Sequence, residues 1–116
     1  MNFSVIPIDK FKKEAKRLIR KYPSLKKELI ELGTILQANP TTGTSLGNNT
    51  FKIRIAIKSK GAGKSGGARV ITYTVTENKE IYLLNIYDKA ELDSINDITL
   101  RKIIKSINLG NKSAKT

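Results

Sequence analysis

The sequence has no cysteine and no histidine among its 116 residues. Without Cys there are no disulfides and no thiolate zinc site. Without His as well, a Ser-His-Asp triad, a zinc hydrolase and a two-His nuclease are all excluded. No apolar run approaches the roughly 18 residues of a membrane-spanning helix, so no membrane span is expected. The start, Met1-Asn2-Phe3-Ser4, goes straight into a strand-like alternation without a basic region or a long apolar stretch. It is not a secretory signal, and a cytoplasmic location is the expectation. The absence of cysteine adds little to that.

Negative charge is also scarce. There are 10 Asp and Glu against 22 Lys and Arg, a formal net charge of +12. A small domain needs a charge of only about 2–8 for solubility. The excess points to a polyanionic partner, with nucleic acid ahead of an anionic membrane or an acidic protein. The deficit is local as well as global. From Leu32 to Thr76 there is no acidic residue, while Lys52, Arg54, Lys58, Lys60, Lys64 and Arg69 all fall in that stretch.

What is present is an ordinary globular pattern, with a hydrophobic fraction of 39% and a length that suits one domain. Phe3 to Ile8 reads as a strand that is at an edge or ends at Pro7. Asp9 is a candidate N-cap. Phe11, Ala15, Leu18, Ile19 and Tyr22 recur at helical spacing, with Lys and Arg on the other face. Lys12, Lys13, Lys16, Arg17, Arg20 and Lys21 of this helix read as a solvated face, with added contacts to ribosomal RNA as the alternative. Pro23 breaks the helix and Ser24 is placed to cap a second one, carried by Leu25, Leu29, Leu32 and Leu36. Two helices so closely joined predict an αα-hairpin.

Thr41 to Asn49 reads as a polar loop. Phe51 to Lys58 alternates cleanly, with Phe51, Ile53, Ile55 and Ile57 on one face and Lys52, Arg54 and Lys58 on the other. A Gly-rich basic loop, Ser59 to Ala68, leads into two β-branched and aromatic strands, Arg69 to Thr76 and Ile81 to Asp88. A last helix is expected from about Thr99 to Ile107, with Leu100, Ile103, Ile104 and Ile107 as its apolar face and Gly110 at its end. The order β-α-α-β-β-β-α predicts an α+β fold: a small, mostly antiparallel sheet with the N-terminal α-hairpin on one face. Residues 1–110 form the single domain, and 111–116 a flexible basic tail.

The Gly-rich loop invites comparison with a nucleotide-binding P-loop and fails it twice. Lys58 stands where the first Gly of the motif belongs, and a strand rather than a helix follows. The glycines fit positive φ and close approach of the backbone to another chain instead, and N–H groups there remain suited to a phosphate of RNA. With acids missing from the cationic surface, a two-metal nuclease is disfavoured. Lys, Arg and Tyr remain, and they suffice for RNA cleavage. The substrate supplies its own 2′-OH nucleophile, a base removes its proton, and Arg holds the non-bridging oxygens.

The basic helical N-terminus, Phe51-Lys52-Ile53-Arg54, the run Lys64-Ser65-Gly66-Gly67-Ala68-Arg69-Val70-Ile71 and Leu83-Leu84-Asn85-Ile86-Tyr87-Asp88-Lys89 together resemble the RelE/ParE toxin superfamily, nearest its HigB-like branch. The resemblance runs from about Phe3 to Ile107. It implies a ribosome-dependent mRNA interferase that cleaves the codon in the A site, and a cognate antitoxin that neutralises it. With no carboxylate on the cationic surface, no metal and no cofactor are expected.

By the same resemblance, Lys52 and Arg54 match the basic pair before the loop. Arg69 matches the Arg opening the next strand, and Lys89 the basic residue after the last strand. The C-terminal Tyr of some RelE-type members has no match; Tyr87 is the nearest substitute. These five are the candidate catalytic residues, with Lys58, Lys60 and Lys64 as RNA-positioning residues. By strict alternation Arg69 shares a face with Ile71, Tyr73 and Val75, so a bulge, an escape at the strand end, or a structural role paired to an acid must account for it. Tyr73 and Tyr82 read as core. A ParE-like, non-enzymatic inhibitor of DNA gyrase and a non-catalytic RNA-binding module are the rival readings. The scarcity of exposed-looking aromatics for base stacking weighs against the last.

Overall fold

The computed structural model describes residues 2–61, 63, 66–92 and 95–115, with side chains described to residue 107. The chain order is β1 (Ser4–Pro7), α1 (Asp9–Lys21), α2 (Leu25–Ala38), β2 (Thr44–Gly47), β3 (Thr50–Ile55), β4 (Ala68–Val75), β5 (Glu80–Asp88) and α3 (Asp97–Lys115). Among the described residues the sheet has five strands in the order β1-β5-β4-β3-β2. Only β1 runs parallel to its neighbour, β5. Pro7 closes β1 at the sheet edge, where its missing N–H costs no ladder bond. Among the described residues no helix is long and apolar enough to cross a membrane.

Two apolar clusters sandwich the sheet. On one face Phe11, Ala15 and Leu18 of α1 and Leu25, Leu32 and Leu36 of α2 pack on Ile53, Ile55, Val70 and Ile86. On the other face Leu100 of α3 packs with Ile71, Tyr82, Leu84 and Tyr87, flanked by Ile103, Ile104 and Ile107. The apolar stripe expected of the last helix is therefore the one it buries, and the α+β reading with both N-terminal helices on one face holds.

The structure corrects the sequence reading in several places. Thr41 to Asn49 is not all loop. Thr44–Gly47 forms a strand paired antiparallel to β3, with Gly47 opposite Thr50. The two turn residues, Asn48 and Asn49, have φ of 51° and 59°, the left-handed backbone that a two-residue hairpin turn needs and that Asn tolerates. Asp9 is the first residue of α1 rather than its cap, and Ile8 holds the cap position without a side-chain bond. Ser24 does not cap α2 through its side chain. Its hydroxyl donates to Glu28 Oε1 at 2.9 Å and lies 2.9 Å from Ser59 Oγ. At α3, Asn96 Oδ1 accepts the Ile98 and Thr99 N–H groups at 2.7 and 3.4 Å, which starts the helix before Thr99. The helix then runs through Gly110 to Lys115, because a single Gly costs about 1 kcal/mol and no Pro follows to stop it.

Candidate functional site

β3, β4 and β5 bring the candidate residues together. Arg54 lies directly opposite Arg69, and Arg69 directly opposite Tyr87. Opposed residues of an antiparallel pair project from the same face, with Cβ atoms about 4.5–5.5 Å apart. The next row on that face is Lys52, Ile71 and Asn85. Lys52, Arg54, Arg69 and Tyr87 thus share one end of one sheet face, the face that α3 covers further along.

The electrostatics of this row are unusual. Two arginines stand opposite each other on adjacent strands, a like-charge pairing that destabilises a sheet. Arg54 is exposed, whereas Arg69 is only 5% exposed. Arg69 Nη1 donates to the Ala68 carbonyl at 3.2 Å. Arg69 neither escapes at a bulge in the glycine loop nor leaves the apolar face. It keeps the alternation of Ile71 and Tyr73 and occupies the last row of the apolar patch, opposite Tyr87. An oxyanion placed at the mouth of such a pair relieves its repulsion and accepts charge-assisted hydrogen bonds from both. Lys52 and Tyr87 flank that position, Lys52 half-buried and Tyr87 buried against the α3 cluster.

The remaining candidates divide. The Lys89 N–H donates to the Gly67 carbonyl at 3.0 Å, which carries the β4–β5 ladder one residue past Asp88 and puts Lys89 at the same sheet end. Lys58 begins a short 3-10 turn, Lys58–Lys60. Its N–H donates to Glu28 Oε2 at 3.0 Å, so the backbone here is tied to α2, while its side chain is exposed. Lys60 does not join the row. Its Nζ donates to Asp88 Oδ1 at 2.5 Å and to the Gly66 carbonyl at 3.0 Å. Lys64 lies outside the described residues.

Asp88 is the anchor of this sheet end. It is fully buried and also accepts the Tyr22 hydroxyl at 2.8 Å and the Ala90 N–H at 3.0 Å. Burial by itself raises its pKa, but the Lys60 ammonium, the Ala90 N–H and the Tyr22 hydroxyl outweigh it and hold the carboxyl below its ordinary value. The Lys60 bonds therefore pin both ends of the Gly-rich loop to β5. The loop approaches β3 just as closely: a Cβ on Gly67 would fall 2.0 Å from the Ile55 carbonyl oxygen. The close approach expected toward another chain is made at Gly67 within this one. Gly61, with φ of 73°, supplies the positive φ.

Asn85 was not among the candidates. It is 3% exposed, and its Oδ1 accepts no hydrogen bond from the described residues. The register slips between Ile71 and Thr72, so that Thr72 faces Leu83 and Ile71 faces Asn85. Leu84 is the extra residue of this bulge, and it turns Asn85 onto the Lys52–Arg69 face. The signal in the sequence is a lone amide in the run Leu83-Leu84-Asn85-Ile86.

No family model matches the chain. Among solved structures it is similar to the free state of a double arginine-to-alanine mutant of the Escherichia coli toxin RelE, with 17% sequence identity and a TM-score of 0.58. The match covers 92% of this chain and 99% of that one. The chain therefore has a RelE-like fold over 92% of its length.

Proposed function

We propose that the protein is the toxin of a toxin–antitoxin pair and cleaves ribosome-bound mRNA without a metal ion. The observation that carries this reading is the row Arg54–Arg69–Tyr87 with Lys52 beside it, on a sheet whose fold is that of a RelE toxin. The row offers cations and a phenol. Among the described residues no three of His, Cys, Asp and Glu cluster to hold a metal, and Asp88 of the same strand is spent on Tyr22 and Lys60.

In the proposed reaction the scissile phosphate sits between Arg54 and Arg69, which bind its non-bridging oxygens as charge grows in the transition state. The 2′-oxygen attacks phosphorus, its proton passing to Lys52 or Tyr87 acting as base, and the P–O5′ bond breaks. The products are a 2′,3′-cyclic phosphate and a 5′-hydroxyl, the leaving oxygen taking up a proton. Lys89 and Lys58 serve the flanking phosphates, and Lys64 belongs with them on its charge. The Asn85 amide supplies a neutral contact from the neighbouring row of Lys52 and Ile71. A chain of charge +12 that attacks mRNA must be restrained by its cell, and an acidic antitoxin meets that need by capturing the same cations.

The test is a translating extract containing a defined mRNA, with transcript ends mapped and gyrase supercoiling assayed in parallel. Cleavage within codons that needs the ribosome supports the proposal. Intact mRNA with gyrase inhibited replaces it by the ParE-like reading. Intact mRNA with unaffected gyrase but tight RNA binding leaves an RNA-binding module.

A further inference from the structure

Asn85 carries an amide into an apolar surface. The bulge in β5 turns it onto the face of Lys52 and Arg69, where Ile71, Leu84 and Leu100 are buried around the same cluster. Its side chain is 3% exposed, and its Oδ1 accepts no hydrogen bond from the described residues. A buried carbonyl oxygen in that state has lost its water and gained no donor, so an apolar side chain of the same size would be the more stable occupant. A group kept against stability beside a cluster of cations calls for a role in what those cations do.

Exposure this low keeps Asn85 from meeting RNA directly, so a role in cleavage passes through a neighbour. Lys52 lies two strands away on β3, beyond Ile71. Arg69 is nearer. It faces Tyr87, which makes Asn85 its diagonal neighbour across β4 and β5, about 7–8 Å away and within reach of a long side chain. Arg69 Nη1 donates to the Ala68 carbonyl at 3.2 Å, the long end for an N–H···O bond.

We propose that Asn85 is a positioning residue for Arg69: its Oδ1 accepts a guanidinium N–H when Arg69 turns from the Ala68 carbonyl to the scissile phosphate. This rests on the cleavage reading. A guanidinium has five N–H donors in a rigid plane, and a phosphate takes a forked pair from one edge of it. Asn85 holds another edge, so the fork meets the phosphate in one orientation. A neutral acceptor does this without competing with the phosphate for the charge, as a carboxylate would. The unpaired Oδ1 is the state before Arg69 turns. Because the bond forms as Arg69 engages, it acts on the rate of the chemical step and leaves affinity alone.

The experiment uses the full chain and ribosomes programmed with a defined mRNA. It measures single-turnover cleavage, thermal unfolding, and affinity for ribosomes whose mRNA carries a 2′-deoxy nucleotide at the cleaved position. Asn85→Leu is expected to slow cleavage by about 10- to 100-fold, the worth of one hydrogen bond to a charged group. Affinity should stay within about twofold. The melting temperature should equal or exceed that of wild type, because the unpaired oxygen is gone. Asn85→Ala, which adds no bulk, should slow cleavage to the same degree. In the Arg69→Lys background Asn85→Leu should have little further effect, since the two residues act as one unit. A lower melting temperature with unchanged cleavage makes Asn85 structural and overturns the inference. So does a loss confined to affinity, a slowing in Asn85→Leu that Asn85→Ala does not share, or a full loss of rate on top of Arg69→Lys. Arg69→Ala separates the two levels. If it is inactive while Asn85→Leu cleaves at the wild-type rate, this inference alone fails; if it cleaves like wild type, the cleavage reading fails as well.

Discussion

Replacing Asp88 with Asn removes a negative charge from a fully buried site. The side chain is fully buried and serves three donors: Lys60 Nζ, the Tyr22 hydroxyl and the Ala90 N–H. An amide retains a single acceptor oxygen, so at least one donor is lost and Lys60 loses its counterion. Removing one member of a buried ion pair costs about 3–5 kcal/mol. The Lys60 side chain keeps 18% exposure and can reach water in part, which sets the expectation at the lower end, about 3 kcal/mol. For a chain of this length that is roughly 4 °C per kcal/mol, a fall in melting temperature of about 12 °C. The pH dependence has a definite sign. The folded carboxyl titrates below its ordinary value, so its stabilisation is complete above the unfolded pKa of about 4 and is lost as pH falls through the folded pKa. The gap between wild type and variant should therefore be full at pH 7 and shrink below about pH 4. Lys60→Met in the Asp88→Asn background should restore part of the loss, because no charge is then stranded. Thermal unfolding by circular dichroism at a series of pH values reads all of this. A fall of less than about 3 °C, or a gap independent of pH, would refute the assignment of Asp88–Lys60 as the pin of the Gly-rich loop.

Arg69→Ala should abolish toxicity in growth assays while leaving the melting temperature within a few degrees, since it also relieves the repulsion from Arg54. Arg69→Lys should rescue only in part, because an ammonium lacks the forked contact; a sharp fall in melting temperature would instead assign Arg69 a structural role. Gly67→Ala should lower both stability and cleavage, because the new Cβ meets the Ile55 carbonyl oxygen at 2.0 Å and β3 must move away from β4; unchanged melting and activity would contradict that geometry.

Periodicity made most of this fold legible. The stripes of α1, α2 and α3 and the alternation of β3 are one-sided, so the buried face could be read directly, and Lys52 and Arg54 fell on the face the alternation gives. β2 was hidden because all four of its residues are exposed, which leaves no apolar signal, although Asn48-Asn49 is turn chemistry. The bulge in β5 was hidden for the opposite reason. From Ile81 to Asp88 every residue is buried, so no alternation exists to show where it slips, and Asn85 could not be assigned a face. Lys60 illustrates a further limit. In sequence it is one more base in an acid-free run like Lys58 and Lys64, and only the return of Asp88 from 28 residues away makes it an internal counterion.

The chemistry of the RNA ends tests the central claim most directly. Product from a translating extract is treated with phosphatase or with polynucleotide kinase, with and without acid opening of cyclic phosphates, and resolved by mass. The row of Arg54, Arg69, Lys52 and Tyr87 predicts 2′,3′-cyclic phosphate or 3′-phosphate ends with 5′-hydroxyl partners, absent with Arg69→Ala. Fragments ending in 3′-hydroxyl, or cyclic ends that persist in that variant, would contradict attack by the 2′-hydroxyl at this site.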